Sequence, residues 1–289
     1  MFDELLLHQK TADGCREYLK HPSQGLMLVG PLGSGKQQLA LSLGSKLLNI
    51  PVNKLGAHPY FLHINPEGET ISIEEVRSIQ QFLKLKTLSA NENIKRIILV
   101  SDAGRMRVEA QNALLKTLEE PPIDTVIIMT VHHIEALLPT IISRVTSMSV
   151  LPISEESAFQ FFKTQFSEAA IKRAFVISQG QAGLLFALLQ ETDHPLIDFV
   201  KKAKDILSKT PGQRLLITEE FSKDRSSVQL MLNALLRITH AALAKTSKNN
   251  DRNQIKKWHS KYEVILRTTE YAQTNANTKL LLDELFLNI

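Results

Sequence analysis

The apolar positions of this chain change their pattern near residue 152. Before it, short continuous apolar runs alternate with stretches in which apolar residues recur every three or four positions. The runs at 26–29, 60–64, 97–100 and 125–130 are too short for helices and end in polar residues, glycine or proline, so they predict buried strands. A fifth run, 145–150, alternates Ser and Thr with apolar residues and predicts another. Between them lie three predicted helices: 36–48, 73–85 opened by Ser72, and a segment from Met106 whose face is Met106, Ala110, Ala113, Leu114 and Leu118. Pro121 and Pro122 stop the last of these. Strands alternating with helices predict a mostly parallel sheet covered on both faces.

Beyond Pro152 the pattern is helical throughout, with stretches at 155–165, 168–178, 183–191, 195–207, 211–220, 228–245, 253–272 and 279–287. Gly180 and Gly183 break one pair, Lys209-Thr210-Pro211-Gly212 reads as a linker, and the polar 246–252 as a surface loop. The expected division is an α/β domain over 1–152, a small helical domain over 153–208 and a helical domain over 209–289.

Composition adds exclusions. With 43% apolar and 22% charged residues among 289, the chain has the make-up of a folded globular protein rather than a disordered one. The net charge is +4, and the whole excess falls after residue 150, where 19 Lys+Arg face 15 Asp+Glu. Those charges are interspersed, which gives little case for a nucleic-acid face. The single Cys15 excludes an intramolecular disulfide and a multi-cysteine metal site. It fits a reducing, cytoplasmic setting. The opening MFDELLLHQK has acids ahead of a very short apolar piece, unlike a signal peptide. No window is long and apolar enough for a membrane span, so no membrane partner is expected.

Two places carry chemistry. Gly30, Gly33, Gly35 and Lys36 lie in a G-x4-G-K turn between a predicted strand and a predicted helix, the arrangement that wraps backbone N–H groups and a lysine around phosphates. Gln37 stands where this turn carries the Ser or Thr that ligates Mg²⁺. The second place is the end of the 97–100 strand. A P-loop ATPase ends that strand in two acids, one for the metal and one for the attacking water; here the pair is Ser101-Asp102. Gln37 and Ser101 are two departures in one metal site, and together they predict lost hydrolysis. Nucleotide bound without turnover stays open.

Asn112-Ala-Leu-Leu-Lys-Thr-Leu-Glu-Glu-Pro-Pro122, following a strand that ends Ser101-Asp102-Ala103, resembles the bacterial AAA+ clamp-loader subunits, most closely those of the DNA polymerase III delta prime type. His8-Gln9, the glycine turn, His58-Pro59, Pro66-Glu67-Gly68 and Ile73-Glu-Glu-Val-Arg77 agree with it, as does, more loosely, Asn275-Ala-Asn-Thr-Lys-Leu-Leu-Leu282. The resemblance implies an AAA+ P-loop α/β domain, a helical lid and a C-terminal helical collar that oligomerises. It also implies a place in a five-subunit ring with gamma/tau-like ATPase subunits and a delta-like subunit, acting on a sliding clamp and primed DNA within the polymerase holoenzyme. Gamma/tau subunits carry an intact P-loop threonine, the acidic pair and a four-cysteine zinc module; this chain lacks all three, so no zinc is expected. An active gamma/tau-like ATPase is the alternative reading.

Within the resemblance, Ser143-Arg144-Val145 stands at the family's Ser-Arg-Cys motif, whose arginine reaches the ATP of a neighbouring subunit. The guanidinium fork suits that task. Taken alone, Arg144 beside Ser143 reads as an ordinary surface ion-pair partner. Thr130 falls where related ATPases sense the γ-phosphate, and the second sensor arginine is missing around Gly180 to Leu184. His132-His133 has neither helical ligand spacing nor a third partner, so it predicts no metal. Trp258 among Lys256, Lys257 and Lys261 reads as a packing anchor in a charged helix.

Overall fold

A computed structural model describes residues 5–66, 68, 70–85, 94–192, 194–222, 224–272, 274 and 276–289. Glu67 and Asn275, quoted for the resemblance, and the first four residues lie outside that set. Two compact units form: Met1–Phe161 with Gln181–Gly183, and Phe162–Gly180 with Leu184–Ile289.

The first unit is built on a five-stranded parallel sheet of β1 (Gly25–Val29), β2 (Phe61–Ile64), β3 (Arg96–Val100), β4 (Thr125–Val131) and β5 (Thr146–Ser149), in the order β2-β3-β4-β1-β5. Side chains alternate between its faces. Met27, Ile98, Val100, Ile127 and Met129 join one core with Ile79, Leu114 and Ile141, while Leu26, Leu28, Ile97, Leu99 and Ile128 join another with Cys15, Leu39 and Leu43. Burial on both faces explains why β1, β3 and β4 read as continuous apolar runs. β5 is an edge strand, mostly exposed, which accounts for its Ser and Thr.

The helices of this unit are α1 (Gln9–Lys20), α2 (Lys36–Leu48), α3 (Val52–Leu55), α4 (Ile73–Leu83), α5 (Val108–Glu119), α6 (Pro139–Ile142) and all but the last residue of α7 (Glu155–Phe162). α4 starts at a capping box in which Ser72 Oγ accepts from Glu75 N–H and the Glu75 carboxylate accepts from Ser72 N–H, which satisfies two otherwise orphaned donors. α1 escaped the pattern because it buries only Thr11, Cys15 and Tyr18, a face with little of the usual apolar signal. Thr11 Oγ1 donates to Ser149 O and accepts from Leu151 N–H, tying α1 to the end of β5. Burial pushes the Cys15 thiol up to about 11, so it stays protonated and unreactive.

An ion pair closes the base of the sheet. Arg96 and Asp124 are both buried, with Nη2–Oδ1 at 2.6 Å, and Arg96 Nη1 also donates to Leu83 O at the end of α4.

The second unit holds α8 (Glu168–Ser178), most of α9 (Ala182–Gln190), α10 (Pro195–Ser208), α11 (Pro211–Leu215), α12 (Thr218–Phe221), α13 (Arg225–Lys248), α14 (Arg252–Ala272) and α15 (Thr278–Asn288). The expected single helix at 211–220 is two short ones, separated at Leu216-Ile217. The expected loop at 246–252 shrinks to 249–251, because Thr246 Oγ1 satisfies itself on Ala242 O and Leu243 O and lets α13 continue. Two buried arginines fasten helix ends. Arg214 donates to Ile206 O and to Phe286 O and Ile289 O, joining the last turns of α10 and α15. Arg237 donates to Ile177 O and Ser178 O, capping α8 from α13. Among the described residues, no helix is long and apolar enough to cross a membrane.

Candidate functional site: the glycine turn and the arginine at the opposite edge

The glycine turn leaves the carboxyl end of β1. Gly33 and Gly35 hold φ of 88° and 86°, left-handed values that a side chain disfavours, and Gly35 caps α2. Gly30 N–H donates to Val131 O, which seats the turn against the end of β4. Because β4 lies between β1 and β3, anything on β3 must reach the turn across the tip of β4.

The side chains make that crossing. Lys36 is only 7% exposed, and its Nζ lies 2.9 Å from His132 Nδ1, just past β4. The ammonium has only protons to give, so Nδ1 accepts and the imidazole carries its own proton on Nε2. That nitrogen faces Asp102 Oδ1 at 3.4 Å, and Asp102 Oδ2 pairs with Arg105 Nε at 2.8 Å. The result is a chain Lys36–His132–Asp102–Arg105. Burial lowers the Lys36 pKa to about 8, against the pull of Asp102. Burial pushes the Asp102 carboxyl up, but the His132 hydrogen bond and the positive charges of Arg105 and Lys36 outweigh it and hold it below its ordinary value.

The other site residues take separate positions. Ser101 Oγ lies 2.8 Å from His63 Nε2 on β2, so it is engaged on the side away from the turn. Thr130 is buried and its Oγ1 accepts from Asp102 N–H at 2.9 Å, holding that residue in a left-handed conformation with φ 51°. Gln37 is exposed. The returning segment Gln181–Gly183 lies on the turn itself: a Cβ on Gly183 would stand 2.9 Å from Gly35 N and 3.0 Å from Gly33 O. The Gly183 backbone therefore lies close beside the Gly35 amide that would grip a phosphate. Lysine held by histidine, backbone close beside the Gly35 amide, and neither a hydroxyl at position 37 nor a second acid at the end of β3 for Mg²⁺ are a poor fit to a metal–nucleotide complex. Among the described residues, no group of three His, Cys, Asp or Glu could hold a metal ion.

His132 and Arg105 were missed by sequence reasoning as members of this cluster. The available signal was small, a polar residue just past an apolar strand.

Arg144 lies elsewhere. It precedes β5, which runs parallel to β1 with Leu26 opposite Thr146, and its carbonyl oxygen is 3.3 Å from where a Cβ of Gly25 would be. It thus sits at the amino end of the sheet, whereas the glycine turn sits at the carboxyl end, a strand length of roughly 15 Å away. Its guanidinium donates from Nη2 to Glu119 Oε1 at 2.9 Å and from Nη1 to Thr140 O at 2.8 Å and Ser143 Oγ at 3.4 Å. Ser143 Oγ in turn donates to Thr140 O.

A glycine turn after the strand between β4 and β5, with a carboxylate-tipped β3 two places away, makes the first unit a P-loop domain of the AAA+ class. Comparison with known proteins narrows this. Residues 18–154 match the family described as DNA polymerase III, delta subunit. The DNA polymerase III subunit delta' of Pseudomonas aeruginosa is 34% identical over 134 residues, 41% of this chain and 40% of that protein. The DNA polymerase III subunit delta' of Escherichia coli is 32% identical over 143 residues, 47% of this chain and 41% of that protein. Over residues 18–154 the chain is thus similar to the delta prime subunits of DNA polymerase III. These matches span about two fifths of the length of the curated relatives. The fold extends further: a DNA polymerase III gamma subunit-related protein from Thermotoga maritima superimposes with a TM-score of 0.59 over 96% of this chain and 97% of that one, at 22% identity. That likeness covers the helical second unit as well as the sheet, as expected for an AAA+ domain followed by helical domains.

Proposed function

We propose that this chain is a clamp-loader subunit of DNA replication that hydrolyses no ATP itself and lends Arg144 to the ATP of a neighbouring ATPase subunit. The supporting observation is the position of Arg144. At the amino end of the sheet it is out of reach of its own glycine turn, and it is exposed, so any phosphate it serves belongs to another chain. A guanidinium suits that role, because its fork meets phosphate oxygens in pairs and it stays charged at every physiological pH. The neighbours would be gamma/tau-like ATPase subunits, with a delta-like subunit completing a five-membered ring that opens a sliding clamp on primed DNA. In this reading the second unit supplies the helical lid and the oligomerising collar.

The chain's own turn is built as a closed polar cluster. Lys36, Asp102 and Thr130 are used up by one another and by His132, which supports a structural turn without catalysis. The purified chain should therefore show no metal-dependent ATP turnover and no retained nucleotide. Hydrolysis that Lys36→Ala abolishes would overturn this in favour of a gamma/tau-like motor.

The closed cluster also has a pH signature. Lys36 binds its proton less tightly in the folded chain than when unfolded. Below about pH 8 both states are protonated and the cost is constant. Between about pH 8 and the ordinary lysine value the unfolded chain binds more protons, so stability rises with pH, by something on the order of 3 kcal/mol in total. Urea denaturation across that window should show the rise in the parent chain and lose it in Lys36→Met.

A further inference from the structure

We propose that Glu119 is a releasable clasp for Arg144, a carboxylate that holds the guanidinium against its own subunit and gives way when phosphate oxygens arrive. The clasp is a property of the isolated chain; its consequence for a neighbour rests on the trans-arginine reading.

Glu119 is the last residue of α5, where a negative charge opposes the helix macrodipole. Arg144 compensates it, through a single contact from Nη2 to one carboxylate oxygen. Two further contacts fix the plane of the guanidinium, both from Nη1, while Nε has no hydrogen-bond partner among the described residues. One edge of the fork thus stays open for an incoming anion. The end of α5 is itself held still. Gln24 Nε2 donates to Pro121 O at 3.0 Å and to Pro122 O at 2.7 Å, which fastens the segment after Glu119 to the residue before β1, beside Arg144.

The strength of the contact suits release. The Arg144 and Glu119 side chains are 35% and 49% exposed, and an ion pair this open to water is weak and screened by salt. A triphosphate brings several charges and paired oxygens, so it outcompetes one monodentate carboxylate. Holding a long side chain near its working position limits the rotamers to be frozen when the phosphate binds, while the carboxylate sets a small barrier against stray anions.

The test uses the full chain and an arginine-selective reagent, phenylglyoxal, with modification of each arginine followed by peptide mapping. Glu119→Gln should speed modification of Arg144 by up to about fivefold at low salt, the factor that a weak exposed pair allows. The difference should fade near 1 M salt, where screening acts over about 3 Å. Glu120→Gln, which alters the adjacent exposed acid, should leave the Arg144 rate at the parent value. Equal Arg144 rates in parent and Glu119→Gln, or an equal acceleration from Glu120→Gln, would overturn the clasp. In complexes with an ATPase partner, the concentration of Glu119→Gln chain giving half-maximal stimulation should fall by up to the same factor. A rise would mean that Glu119 orients the arginine and does not compete for it, which also overturns the proposal. If Arg144→Ala stimulated the partner as well as the parent, the trans reading would fail, and the modification rates would still decide the clasp.

Discussion

Arg144→Ala should lower ATP turnover at the neighbouring subunit's site by about 10³-fold or more, the range that removal of a trans-acting arginine spans in phosphoryl transfer. The loss should appear in single-turnover measurements on reconstituted complexes with primed DNA. The chain itself should unfold at nearly the same denaturant concentration, because the side chain is exposed and its ion pair with Glu119 is worth little. Arg144→Lys should recover only a small part of the rate. Lysine keeps the charge but loses the planar fork, and its single ammonium cannot bridge two oxygens in fixed geometry. Undiminished DNA-stimulated turnover in the alanine variant would remove Arg144 from the chemistry. The P-loop turn of this chain would then need another explanation for its closed state.

The largest effect on stability should come from Arg96→Met, which leaves the Asp124 carboxylate buried beside the start of β3 without its cation. Arg96 spans three segments: Nη2 and Nε hold Asp124, and Nη1 holds Leu83 O. Removing one member of a buried pair costs about 3–5 kcal/mol, because the remaining charge cannot regain its water. Urea denaturation of the single variant and of the Arg96→Met, Asp124→Leu double variant separates the causes. The double variant should recover much of the loss, since no charge is left stranded. If the single variant lost less than about 1 kcal/mol, the pair would be solvated to a degree its burial contradicts.

The sheet was legible in the sequence because its strands are local objects. β1, β3 and β4 are buried on both faces, and four or five consecutive apolar residues ending in a polar one are enough to find them. α2 and α4 were legible for a similar reason, one framed by the glycine turn and the other by Ser72 and Glu75. α1 was not, since Thr11 and Cys15 occupy positions where apolar residues would have shown the period. The break between α11 and α12 was also hidden, because the apolar residues of 211–220 continue across it.

The candidate site divides in the same way. Lys36 and Asp102 could be named from their motifs, and Gln37 and Ser101 could be recognised as departures from them. That Ser101 turns to His63, or that Thr130 is spent on the Asp102 amide, had no local signature. The partner of Lys36 is 96 residues away along the chain.

By itself, then, the sequence determined the alternating strands and helices, the glycine turn, the presence of Gln37 and Ser101 where a P-loop ATPase carries metal-binding groups, and the family that these residues resemble. The tertiary structure decided what those residues do to one another. The order β2-β3-β4-β1-β5 sets β4 beside β1, so His132 meets Lys36 and links it to Asp102, and the parallel register of β1 and β5 puts Arg144 at the edge opposite the turn. Periodicity and motif are fixed by neighbours a few residues away. Which side chain fills a lysine's hydrogen bond, and which end of a sheet presents an arginine, depends on strands brought together from distant parts of the chain.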